Sequence, residues 1–192
     1  ETLGQVSVIC TDKTGTLTQN RMTVVAYYLN GKIQSVSQKV TERRLKEGFY
    51  LCGNAKLDAE DVIGDPTEVA LMRWALDNGV DAAQIIRQFP RVAEIPFDSR
   101  RKRMSTVHQT GLEKIVYVKG ALESVLPLCT HLWQDGRRVE LTTPMRRQIE
   151  EAAAQMAGEA LRVLVLATRT VASLDESQFE TRLCFIGMAG MI

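Results

Sequence analysis

Asp12-Lys13-Thr14-Gly15-Thr16-Leu17-Thr18 follows directly on Val6-Ser7-Val8-Ile9-Cys10-Thr11, and the reading of the whole chain turns on this junction. The apolar run has the length and composition of a buried strand. An aspartate at the carboxyl end of such a strand, ahead of a loop of small residues, faces the crevice where open α/β sheets bind ligands. A carboxylate placed there can attack phosphorus and form an aspartyl phosphate. Lys13 adds positive charge, while the hydroxyls of Thr14 and Thr16 and the backbone at Gly15 add hydrogen-bond donors. A polar turn, with Asp12 and Gly15 selected for turn geometry, is the simpler alternative for an Asp-x-x-Gly taken alone.

The chain has 192 residues, is 45% hydrophobic and 24% charged, and carries a net charge of +1. That is enough for one medium domain, or one domain and part of another, with an ordinary core. Bulk charge points neither to nucleic acid nor to an anionic membrane. The four basic residues Arg100 to Arg103 are a weak footprint for nucleic-acid binding. Cys10, Cys52, Cys129 and Cys184 lie far apart with no CxxC pair, so reduced thiols are expected and a zinc site is not. His108 and His131 are isolated and read as solvated or packed structural residues. No run approaches the ~18 apolar residues that span a bilayer. Glu1 at the start and the apolar stretch that ends on Ile192 suggest a piece of a longer protein.

Turn and cap signals divide the rest. Asn30-Gly31 joins strands at 24–28 and 32–36, and Asp135-Gly136 joins strands at 132–133 and 138–141. A helix is expected over 41–52. Asp65-Pro66-Thr67-Glu68 opens a second one, with Asp65 as N-cap, Pro66 at N1 and Glu68 closing a capping box. Further helices are predicted over 81–88, 121–126 and from Thr143-Pro144 to 157, and strands over 92–95, 104–108, 115–119, 161–168 and 183–186. Hairpins dominate the interior. The fold class is therefore α/β with an α+β insert: a mixed, largely antiparallel sheet flanked by helices. The first and last strands are continuous apolar runs, which suggests that they belong together, outside the insert.

Five segments, in order, resemble the P-type ATPases, the ion pumps that pass through a phosphorylated aspartate. They are the Asp12 motif, Gly64-Asp65-Pro66-Thr67-Glu68-Val69-Ala70-Leu71, Ile95-Pro96-Phe97-Asp98-Ser99-Arg100-Arg101-Lys102-Arg103-Met104-Ser105, Val118-Lys119-Gly120-Ala121, and Leu161-Arg162-Val163-Leu164-Val165-Leu166-Ala167. The stretch from Pro96 to Ser105 further resembles the calcium-pump branch. The resemblance implies a stub of a Rossmann-like phosphorylation domain at 1–23, a nucleotide-binding domain at 24–182, and a second stub at 183–192.

It also implies roles, each beside a plainer one. Phe97 would stack on adenine, or be a core residue after a strand. Glu68 would accept from the adenine amino group, or only cap its helix. Lys102 and Lys119 would neutralise phosphate, or be a solvated basic residue and a strand-end lysine. Gly120 would admit the backbone close to the nucleotide. Arg162 would bind phosphate or ribose through its fork of donors, or form a salt bridge. Asp12 would receive the γ-phosphoryl group, with Lys13 and Thr14 steadying the transferred oxygens and Asp12 and Thr14 beside a magnesium ion.

ATP and magnesium are thus the implied cofactors. The implied partners are the phosphorylation, actuator and transmembrane domains of one pump, whose cytoplasmic part this would be. Leu122 stands where the family usually has proline. The sequence contains no Gly-Asp-Gly-x-x-Asn-Asp segment for the metal and no Thr-Gly-Glu loop, so the Asp12 site is incomplete within it. A soluble phosphatase of the haloacid dehalogenase class is the alternative. Those enzymes commonly place a general acid two positions after the nucleophile, where this chain has Thr14, which cannot serve as one.

Overall fold

The structure is a computed structural model that describes residues 21–59 and 61–192; Asp12, Lys13 and Thr14 lie outside the described residues. Strands β1 (Val24–Leu29) and β2 (Lys32–Ser35) form the Asn30-Gly31 hairpin, followed by α1 (Arg43–Leu51). A small hairpin, β3 (Lys56–Asp58) and β4 (Asp61–Ile63), precedes α2 (Pro66–Asp77) and α3 (Ala82–Gln88). Then come the meander β5 (Arg91–Asp98), β6 (Arg103–Thr110) and β7 (Glu113–Gly120), and the short α4 (Leu122–Val125). The second expected hairpin is β8 (Cys129–Gln134) and β9 (Arg137–Glu140). The chain closes with α5 (Thr143–Gly158), β10 (Arg162–Val171) and β11 (Leu183–Met191).

Among the described residues, nine strands make one sheet. Its main path is β2-β1-β11-β10-β7-β6-β5, with β8 added to β11 and β9 to β8. Every pairing is antiparallel except that of β8 with β11. The side-chain period of two sends alternate residues to opposite faces, and each face has its own core. Tyr27, Tyr117, Leu166 and Ile186 meet Leu45, Phe49, Leu71 and Trp74 of α1 and α2 on one side. Tyr28, Val116, Val165 and Phe185 meet Val125, Ile149 and Met156 of α4 and α5 on the other.

The last strand departs from expectation. Residues 183–192 were expected to stand outside the insert. Instead β11 runs through the middle of its sheet, antiparallel to β10 along one edge, with β1 and β8 sharing the other. All nine of its residues are buried. A continuous apolar run reports burial on both faces; a central antiparallel strand with helices on each side meets that condition as well as a parallel one does. The β3–β4 hairpin carries no sequence signal because its strands are three residues each, too short to show an alternating pattern.

Close packing of α1 on the sheet depends on Gly48. A Cβ there would lie 2.5 Å from Leu166 Cδ2 and 2.9 Å from the Tyr117 ring. Gly48→Ala is expected to destabilise the fold by about 1–3 kcal/mol through overpacking, read as a lower urea midpoint at unchanged slope.

His108 is packed, not solvated. Nδ1–H donates to the Phe89 carbonyl at 2.9 Å, and Nε2 lies 2.9 Å from Thr106 Oγ1. Burial is the main cause that lowers its pKa from 6.5 to about 4. The neutral ring is the one the fold holds, so its contribution is complete above pH 6.5 and is lost as pH falls toward about 4. Urea midpoints across that window should drop more steeply for this chain than for His108→Gln.

Candidate functional site

At one end of the sheet, residues from the start of α2 and from β5, β6, β7 and β10 enclose a cleft of about 310 Å3. It gathers Glu68, Phe97, Lys119, Gly120 and Arg162 from sequence positions spread over almost a hundred residues. Three larger hollows, of about 560, 720 and 320 Å3, contain none of the candidate residues.

The cleft wall is a register effect. Lys119 pairs with Met104 on β6 and with Leu166 on β10, so Met104, Lys119, Leu164 and Arg162 share the sheet face that α1 and α2 cover. Phe97 joins them through a bulge. Ile95 is opposite Ser105 and Asp98 opposite Arg103, leaving Pro96 and Phe97 to face Met104 alone. In an unbroken register Phe97 would stand on the other face, with Ile95 and Ser105; a bulge re-aims it. Pro96 fits here because β5 is an edge strand, where a missing N–H costs little. Phe97 is left 62% exposed, so it is not a core residue.

The floor is a part-buried ion pair. Lys119, 5% exposed, donates from Nζ to Glu68 Oε1 at 3.1 Å. Glu68 Oε2 accepts from the Asn54 N–H at 2.9 Å. The expected capping box is only half present: Asp65 Oδ1 accepts from the Thr67 N–H at 2.9 Å, but the Glu68 carboxylate reaches across to Asn54 and Lys119. Met104 and Leu164 supply apolar lining beside it.

Two expectations change. Lys102 does not line the cleft. It sits in the turn after Phe97 at φ 51°, and its Nζ donates to Glu123 Oε1 at 2.9 Å. Gly120 does line it, but the reason for glycine lies behind the sheet: a Cβ would be 2.5 Å from the Lys102 carbonyl oxygen and 2.6 Å from Arg103 Cβ. Arg162 stands exposed at the mouth, as its role would require. Sequence reading missed Asn54, Thr67, Met104 and Leu164 as lining. Register with Lys119 could have found Met104, whereas Asn54 lies in a loop that carries no periodic signal. Among the described residues no cluster of His, Cys, Asp and Glu could hold a metal ion, and no helix is long and apolar enough to cross a membrane.

Removing Lys119 leaves the part-buried Glu68 carboxylate without its cation. Lys119→Ala is therefore expected to destabilise by about 1–3 kcal/mol, and adding Glu68→Gln should restore part of the loss in denaturant titrations.

Comparison with known proteins agrees with this architecture. Residues 41–192 match the family described as P-type ATPase, cytoplasmic domain N. The whole chain aligns with Calcium-transporting ATPase 1 of Bacillus cereus at 40% identity, covering 22% of that protein. It aligns with Calcium-transporting ATPase lmo0841 of Listeria monocytogenes at 39%, covering 23%, and with Calcium-transporting ATPase type 2C member 1 of Homo sapiens at 33%, covering 22%. The chain thus spans about a fifth of the length of these curated relatives.

Proposed function

The chain belongs to the family of the P-type ATPase cytoplasmic N domain, and from that premise we propose that its cleft binds ATP and presents it for phosphoryl transfer to Asp12 within a cation pump, with calcium as the transported ion. The relatives named as calcium-transporting support the choice of ion. The observation that carries the reading is Phe97: an aromatic ring 62% exposed, held by a bulge at the mouth of a cleft with a polar floor. Adenine stacks on that ring. The exocyclic amine donates to Glu68, whose carboxylate oxygens retain lone pairs beyond those taken by Lys119 and Asn54. Arg162 at the mouth takes ribose or phosphate oxygens. Lys102 reaches phosphate only by giving up Glu123.

In the complete pump, an Asp12 carboxylate oxygen attacks the γ-phosphorus in line, the bond to the β-phosphate bridging oxygen breaks, and ADP leaves with that electron pair. Lys13 and Thr14 stabilise the equatorial oxygens. Magnesium, when bound, would neutralise charge on the transferring group. Asp12 and Thr14 are its candidate ligands in this sequence. The acidic groups of the cleft are otherwise engaged, Asp65 as a cap and Glu68 in its ion pair. Nucleotide binding in the cleft therefore proceeds without metal. Residues 1–23 form part of the phosphorylation unit, and the nucleotide-binding unit extends from 24 through β11.

Titration of the isotopically labelled chain with ATP should give shifts centred on Phe97, Glu68 and Lys119, with a Kd on the order of 0.1 to several mM, unchanged by removal of magnesium. Phe97→Ala should weaken binding at least about fivefold, the lower end of a base–aromatic stack. No hydrolysis should be measurable. Unchanged binding by Phe97→Ala, a strict magnesium requirement, or turnover abolished by Asp12→Asn would each count against the assignment.

A further inference from the structure

Behind the sheet, on the face opposite the cleft, lies a carboxylate with no assigned role. Glu180 precedes β11 and is 9% exposed. Its Oε2 accepts from Arg101 Nη1 and from Arg103 Nε, each at 2.6 Å, and its Oε1 accepts from Ser105 Oγ at 2.6 Å. Burial works to raise the carboxyl's pKa, but hydrogen bonds from Ser105, Arg101 and Arg103 outweigh it and hold the group below the usual glutamate range. Arg101 lies in the turn between β5 and β6, and Arg103 and Ser105 lie at the start of β6. Arg101 carries the contact one step further: its Nη2 donates to the Pro96 carbonyl at 3.2 Å. Arg103 Nη1 donates to Ser124 Oγ at 3.1 Å, and Ser124 donates in turn to the Arg101 carbonyl. The front of the turn is closed by Asp98 Oδ1, which accepts the N–H groups of Arg100 and Arg101 at 2.9 Å each.

We propose that Glu180 is a positioning residue for the nucleotide site: through Arg101 it grips the Pro96 carbonyl and locks the bulge that aims Phe97 into the cleft. This rests on the reading of Phe97 as the adenine platform. The physical case is pre-organisation. Phe97 has little packing of its own to fix it, and a platform that must be ordered on binding loses affinity. The bulge sits on β5, which among the described residues is an edge strand with no further strand beyond it to hold it. A carboxylate gathering two guanidiniums supplies the missing restraint, since charge-assisted hydrogen bonds are the strong ones. A carboxylate that merely stapled the β10–β11 connection to β6 would need Arg103 and Ser105 but not the Arg101 link to Pro96.

A double-mutant cycle separates these roles. Adenosine and ATP affinities would be measured by chemical-shift titration for the unmodified chain, Glu180→Gln, Phe97→Ala and the double variant. Glu180→Gln is expected to weaken both ligands about three- to tenfold when Phe97 is present, and less than about twofold when it is alanine. Amide exchange from Phe97 to Arg103 should quicken in the nucleotide-free Glu180→Gln chain. Arg101→Lys provides a second route should Glu180→Gln fail to fold: it keeps a cation for Glu180, cannot also hold Pro96, and should reproduce the coupling. Equal weakening in both backgrounds, or no weakening at all, overturns the proposal. If the unmodified chain binds no adenine ligand, the functional reading fails instead, and the exchange rates still decide whether Glu180 restrains the bulge.

Discussion

An ammonium carried into a protein interior must find an anion, and Lys119 meets that demand at the end of β7. Its register places it between Met104 and Leu166 on a face that helices cover, so water cannot solvate it. Glu68 answers from the first turn of α2, an element otherwise joined to the sheet by apolar packing alone. The pair therefore fixes where the start of α2 sits above β7, and that placement is what opens a cleft. Asn54 is drawn in by the second oxygen of the same carboxylate, which ties the loop after α1 to the same point.

The sheet supplies the other wall by an irregularity. A regular β5 would turn Phe97 away from Lys119; one additional residue opposite Met104 turns it toward it. The device needs an edge strand, a proline that does not require a partner, and a turn rigid enough to stop the bulge from migrating. Asp98 and Arg101 meet the last need from within the turn. Gly120 meets a related one, because only a residue without a side chain lets β7 end so close to the Lys102 carbonyl. Residues that look like ligand contacts in the sequence can thus be demanded first by the fold.

Much of this was legible from local signals. Asn30-Gly31, Asp135-Gly136 and the Asp65-Pro66 start each fix their geometry within four residues, and each occurs as read. The residues of the site were legible as types, because an aromatic after proline and a lysine before glycine are unusual enough to notice. What could not be read was direction. Glu68 has the spacing of a capping box, and nothing within its own helix reveals a buried ammonium 51 residues away. Lys102 stands in a basic run that promises phosphate contacts, yet a left-handed turn and Glu123 set its course. The apolar run of β11 announced burial on both faces without saying which sheet supplies it.

The charge inventory of the cleft bears on what it is built to do. Asp65 and Glu68 are set against Lys119 and Arg162, and the two most enclosed of these, Glu68 and Lys119, neutralise each other. A site with so little net charge has small electrostatic hold on a triphosphate, while an exposed ring and the apolar lining of Met104 and Leu164 would hold a base whatever its phosphates do. On the proposed function this division has a use. Affinity spent uniformly on substrate and transition state does not speed a transfer. A domain that grips the purine and leaves the γ-phosphate unbound delivers a reactive group free to meet a nucleophile on another domain. The strength of the stack on Phe97 then sets how much nucleotide is presented, and the rigidity of the bulge sets how consistently it is aimed.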